Sequence, residues 1–191
     1  DNLDKKVEKF TVGSDRLDDL CLAKYDVVAS IAHAKMLSKC KIITKDDGNL
    51  LVYELEKILK EIQKGNFTIE DSFEDVHSKI EYLLVKKLGD VGKKIHTGRS
   101  RNDQVLVATQ LFLKDEINIV KKLVKSLFDI LIEKATRYKD KYLPGYTHLQ
   151  VAMPSTFGLW FSAYAESLID DIIFLNTALK INDQNPRSEE H

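Results

Sequence analysis

The chain of 191 residues is short of helix breakers, with only three prolines and eight glycines. Such a composition permits long uninterrupted helices. Cysteine is scarce too: Cys21 and Cys40 are the only two, with no C-x-x-C or Cys/His spacing. That excludes a disulfide scaffold and a zinc-ribbon type of centre, and no metal is expected. Two isolated thiols fit a reducing compartment, so a cytoplasmic location is expected. The charged opening from Asp1 to Lys9 lacks the apolar centre of a signal peptide, which points the same way. No apolar run approaches ~20 residues, so no transmembrane helix and no membrane partner are expected. An excess of one charge is also missing. Lys and Arg number 29 against 30 for Asp and Glu, so no global field selects nucleic acid. The local run Lys86, Lys87, Lys93 and Lys94 is interleaved with acids and has no aromatic set for base stacking.

What remains is a helical pattern. Leu20, Ala23, Val27, Ile31, Ala34 and Leu37 recur at steps of three and four and predict one amphipathic helix. Asp46 is placed to cap a second, with Leu50, Tyr53, Leu55, Ile58, Leu59 and Ile62 inward and an end near Gly65. A third is expected from about Ser72 to Leu88, buried through Val76, Ile80, Leu83 and Leu84 and stopped by Gly89. Two longer helices follow. Gln104 to about Tyr138 carries two adjacent apolar stripes, and the stretch after Pro154 to about Lys180 is apolar almost all round. Faces of that kind need partners on several sides, so the expectation is an all-α fold: an N-terminal helical subdomain followed by the first long helices of a bundle.

Two polar segments interrupt this pattern. Thr97-Gly98-Arg99-Ser100-Arg101-Asn102-Asp103-Gln104 gathers guanidiniums, a hydroxyl and an amide where a helix begins, with Asn102 or Asp103 as the expected cap. A helix N-terminus carries roughly half a positive charge, and arginine offers a carboxylate two parallel donors. The bland alternative is a well-capped helix with solvated arginines. Pro144-Gly145-Tyr146-Thr147-His148-Leu149-Gln150 sets a hydroxyl beside an imidazole after a dipeptide suited to a turn, with Gly145 at the positive-φ position. A third cluster is Glu74-Asp75-Val76-His77, where His77 stands four residues before Glu81 and could simply form a helical ion pair. His33, inside an apolar helix, reads as structural. An anion holder combined with a proton-transfer group points to an enzyme acting on a carboxylate or phosphate.

The run from Gly92 to Val105, GKKIHTGRSRNDQV, resembles a motif of the argininosuccinate lyases, and PGYTHLQVAMP from Pro144 to Pro154 resembles their second motif. Glu74 to Glu81 and Asp26 to His33 are similar to two further segments in the same order, and the likeness runs from about Phe10 to Pro186. The resemblance implies a carbon–nitrogen lyase of the fumarase superfamily in arginine biosynthesis, cleaving argininosuccinate reversibly to arginine and fumarate by β-elimination without cofactor or metal. It implies a homotetramer when full length. Residue by residue, it implies that Ser100, Arg101, Asn102 and Thr147 contact the substrate, that His77 lines the same cleft, and that His148 acts in proton transfer.

The sequence also departs from that family. Its members are more than twice this long, and their G-S-S-x-M-P-x-K-x-N loop, bearing the serine taken as base, does not occur here. The expected reading is an N-terminal fragment, inactive alone: a subdomain over 1–100, the start of the bundle over 101–186, and a foreign tail over 187–191. A non-catalytic, crystallin-like helical scaffold and another fumarase-superfamily lyase are the competing readings.

Overall fold

The computed structural model describes residue 10 and residues 18–70 and 72–185. The chain divides into two compact units, one comprising 1–112 with 185–191 and the other Leu113–Gln184. The expected tail over 187–191 lies outside the described residues.

The first unit is built on three helices, α1 (Ala23–Lys39), α2 (Lys45–Gln63) and α3 (Val76–Leu88). The stripe predicted for α1 is the one that closes: Ala23, Val27, Ala34 and Leu37 are buried and Ile31 packs at the margin. They meet Leu51 and Leu55 of α2 and Val76, Ile80 and Leu84 of α3 in one core. Each large aliphatic side chain removed from water there contributes about 1.5–3 kcal/mol before the entropy of ordering it.

The inward face of α2 differs from expectation. Leu50 and Tyr53 are exposed, while Gly48, Leu51 and Leu55 are buried. Leu50 to Tyr53 is a continuous apolar run, so its period alone does not single out a face; Gly48 does. A Cβ at Gly48 would lie 2.6 Å from Ser38 Cβ, so the hydrogen of glycine is what lets α2 approach α1. The cap is Thr44 rather than Asp46, its hydroxyl accepting from the Asp47 amide at 3.1 Å. Helix α3 starts later than predicted because Asp75 caps it, accepting from the Ser78 amide at 2.8 Å; Gly89 ends it at φ 58°. A short helix α4 (Asp90–Lys93) and a 3-10 turn (Lys94–His96) then lead to the polar loop.

Helix α5 (Arg101–Arg137) has 37 residues, about 55 Å at 1.5 Å per residue, and the unit boundary at 112/113 falls within it. In the second unit a β-hairpin, β1 (Tyr142–Thr147) antiparallel to β2 (Gln150–Thr156), leads into α6 (Phe157–Asn182). The fold is mainly helical, as expected, but the hairpin was not foreseen. It forms across a segment read as a loop because Tyr142, Tyr146 and Val151 favour extended backbone where Pro144 and Pro154 bar a helix. Thr156 caps α6, accepting from the Leu159 amide at 3.1 Å.

The long helices keep much apolar surface uncovered. Leu123, Leu127 and Ile130 of α5 and Leu159, Ile173 and Phe174 of α6 are exposed, and Phe174 is 75% so. Only small residues are sealed in the second unit, with Ala135, Gly158 and Ala165 buried. No helix among the described residues is long and apolar enough to cross a membrane.

Candidate active site

The anion loop is organised by its own side chains. Helix α5 begins at Arg101, three residues before the expected start, because Ser100 stands at the cap and Asp103 reaches back to it. The Asp103 carboxylate accepts from the Ser100 amide at 2.6 Å and from the Ser100 hydroxyl at 2.8 Å. This satisfies an orphan donor at the N-terminus, as in a capping box, and replaces the predicted cap at Asn102 or Asp103. Asn102 is exposed one residue into the helix, and Arg101 is exposed beside it.

Arg101 is the bridge to the third polar cluster. Its guanidinium donates to Asp75 at 2.5 Å, to the Ser78 hydroxyl at 2.9 Å and to Glu74 at 3.4 Å. The start of α5 is thereby tied to the first turn of α3, the turn that carries His77. Nearly half of the Arg101 side chain is solvent-accessible, and an ion pair so placed is worth about 0–1 kcal/mol.

Arg99, read with Arg101 as an anion holder, is instead used by the fold. It donates to the Ser30 hydroxyl at 3.1 Å from a largely enclosed position. Burial pulls its guanidinium below the ordinary arginine value, opposed by Asp26, Asp103 and Glu81. The i,i+4 pairing considered for His77 is not formed. Glu81 faces His96, whose Nε2 lies 2.9 Å away, while His77 is buried with its Nδ1 3.0 Å from Asp26 Oδ1. That contact is close, but the ring N–H is out of line for a hydrogen bond.

Asp26 and Ser30 are the residues that sequence reasoning passed over. Both are fully buried on α1, and together with His33 they recur at i, i+4 and i+7. That spacing makes one polar edge beside the apolar stripe: Asp26 meets His77, Ser30 holds Arg99, and His33 Nε2 lies 3.0 Å from the Thr97 carbonyl. An acid inside an apolar repeat was the available signal, since a carboxyl is rarely buried without a partner.

His33 makes the first unit sensitive to acid. Partial burial lowers its pKa, helped by Arg99 and His96 and opposed by the Thr97 carbonyl and Asp103. The unfolded chain then binds the proton more readily than the folded one. Stability is complete above about pH 6.5 and is lost as pH falls toward the lowered folded value. Denaturation midpoints should fall between about pH 7.5 and about pH 5, and His33→Gln should flatten that slope. An unchanged slope would show that other groups carry it.

The second motif stands in the other unit. Thr147 ends β1 and pairs with Gln150, so His148 and Leu149 form a two-residue turn. Both have positive φ, 49° and 62°, as a type I′ turn requires. Gly145 is not the positive-φ residue; it lies within β1, where a Cβ would come 2.9 Å from the Met153 side chain. His148 is thus held at an exposed tip in the left-handed region, which histidine adopts more readily than most side chains, while its neighbour Leu149 is the uncommon occupant. Strain of this kind concentrates at functional positions. Ser100, Arg101, Asn102 and His77 belong to the first unit, and Thr147 and His148 to the second.

Comparison with known proteins gives the class. The family model described as "Lyase" matches residues 1–187, so the chain belongs to that family. Among curated relatives, the argininosuccinate lyase of Parabacteroides distasonis is 54% identical over 184 residues, 96% of this chain and 41% of its own length. That of Thermotoga neapolitana is 44% identical over 184 residues, again 96% of this chain and 46% of its own length. The chain thus spans less than half the length of these relatives. Among solved structures, a fumarate lyase:delta crystallin from Brucella melitensis matches with a TM-score of 0.76 at 20% identity, covering 93% of this chain and 46% of its own. An EDDS lyase in complex with formate matches with 0.76 at 23%, covering 97% and 36%. At such identities these two speak for the fold alone.

Proposed function

We propose that the chain is the part of an argininosuccinate lyase that supplies the carboxylate-holding loop and the proton-transfer histidine. The single observation that carries this is the start of α5, where exposed Arg101 and Asn102 stand with the cap at Ser100 already satisfied by Asp103. The reaction removes a proton from the succinyl carbon beside a carboxylate. The electron pair forms the new C=C bond, the C–N bond to the guanidino group breaks, and the leaving nitrogen takes a proton. Arg101, Asn102 and Ser100 bind the succinyl carboxylates, Thr147 hydrogen-bonds the substrate, and their fixed donors stabilise the negative charge that grows as the proton leaves. His148 serves the acid side, delivering a proton to the leaving nitrogen, and His77 lines the same cleft. The helix N-terminus adds a fixed positive end for the same anion.

The complete enzyme is a cytoplasmic homotetramer, and the uncovered apolar faces of α5 and α6 support such an assembly. The chain alone does not turn over, because the serine-bearing loop is not in its sequence. The test is fumarate release followed by absorbance. Purified chain should give none above background, and Arg101→Ala in the complete enzyme should raise KM by about 10–100-fold, the worth of a charge-assisted contact. An unchanged KM would remove Arg101 from the carboxylate site, and fumarate from the chain alone would show the base to be misplaced.

A further inference from the structure

A second charged concavity lies in the first unit, on residues that the proposed reaction does not use. The cleft between the end of α1 and the start of α2 has a volume of about 850 Å³. Lys35, Lys39, Lys41 and Lys45 stand along it, all exposed. None of the four has an ion pair among the described residues, although Lys57, Lys64, Lys93 and Lys94 of the same unit are each matched to a carboxylate. In a chain whose charges cancel almost completely, this is a local excess, opposed in the lining only by Glu56.

The backbone holds this excess in place. The end of α1 is closed by paired bonds, the Ile42 amide to the Leu37 carbonyl at 3.0 Å and the Lys41 amide to the Ser38 carbonyl at 3.1 Å. That closure needs a left-handed residue after the cap, a position that glycine usually fills; here it is Lys41, at φ 60°. The same lining includes Ile42 and Tyr53, both more than half exposed, with Lys57 Nζ 4.1 Å over one face of the Tyr53 ring. Cations lining a concavity together with an aromatic ring and an aliphatic side chain match an anion that carries an apolar or planar group.

We propose that this cleft binds a small organic polyphosphate, its phosphates on Lys35, Lys39, Lys41 and Lys45 and its organic part against Ile42 and Tyr53. Lysine acts on phosphate as a mobile point charge, and several lysines suit a polyanion better than a single carboxylate. The site is independent of the lyase reading, and its test measures binding rather than turnover.

Titration calorimetry on the whole chain, at low and at raised salt, uses ATP and inorganic tripolyphosphate as probes. Saturable one-to-one binding of both is expected, with ATP tighter and both weakened by salt. Lys39→Glu/Lys41→Glu, and the milder Lys39→Gln/Lys41→Gln, should each weaken ATP at least tenfold with the circular dichroism unchanged. Tyr53→Ala should cancel the advantage of ATP over tripolyphosphate and leave tripolyphosphate binding intact. Should neither probe bind saturably, or should the folded lysine variants bind as well as the parent, the site does not exist. Equal affinity of the parent for the two probes would overturn the organic part of the assignment.

Discussion

Replacing His148 by asparagine in the complete enzyme is expected to lower kcat by about 10²–10⁴-fold while KM changes little. The substitution is chosen for the turn. His148 sits at φ 49° and its neighbour Leu149 at φ 62°, and asparagine is among the few residues that accept such a backbone readily. The hairpin should therefore keep its register, Thr147 opposite Gln150, and the loss should report the missing imidazole rather than a collapsed loop. Proton delivery is felt in the transition state, so the change belongs in kcat and not in ground-state binding. If kcat stayed within a few-fold of wild type, His148 would be a positioning residue. Circular dichroism and an unchanged KM are the controls for folding.

The second large effect is on stability and comes from the buried pair. His77 is the only group within ion-pair distance of Asp26 among the described residues, and both are almost wholly enclosed. His77→Leu removes the polar group 3.0 Å from the buried Asp26 carboxyl, and leaving a buried polar group uncompensated costs about 1–3 kcal/mol. The double variant Asp26→Leu/His77→Leu removes the orphan as well and should recover much of that loss. Chemical denaturation of the chain followed at the helical signal measures both. A double variant no more stable than His77→Leu alone would mean that packing, and not the stranded carboxyl, sets the cost.

The core of the first unit was legible where a single stripe was present. On α1 the repeat from Ala23 to Leu37 needed no tertiary information, and Gly89 ended α3 as its place in the pattern required. The face of α2 was not legible, because it is chosen by the close approach of Gly48 to Ser38, a fact about another helix. The caps at Thr44 and Ser100 were missed by two or three residues, since several polar side chains compete for each N-terminus and only geometry decides between them. The hairpin was missed because a strand depends on a partner segment, and the two-residue turn at His148-Leu149 has none of the glycine or asparagine that normally announces it. Among the candidate site residues, Arg101 and Asn102 could be read from their place at a helix start. The role of Arg99 could not, for its partner Ser30 is remote in the chain.

Among the described residues, the hydrophobic core of the first unit runs from Ala23 to Ile95. Its contacts join helices that follow one another along the chain, so it can close as soon as that stretch has left the ribosome, and closures between sequence neighbours are fast. Helices α5 and α6 are different: their leucines, isoleucines and aromatics stay exposed in the chain itself, and on the proposed tetrameric reading they are covered only by partner chains. Biogenesis is therefore divided in time. On that reading, an early, concentration-independent event closes the core that ends at Ile95, just before the polar loop, and a later, concentration-dependent encounter covers the long helices. Between the two, chaperones have their opportunity and aggregation its hazard.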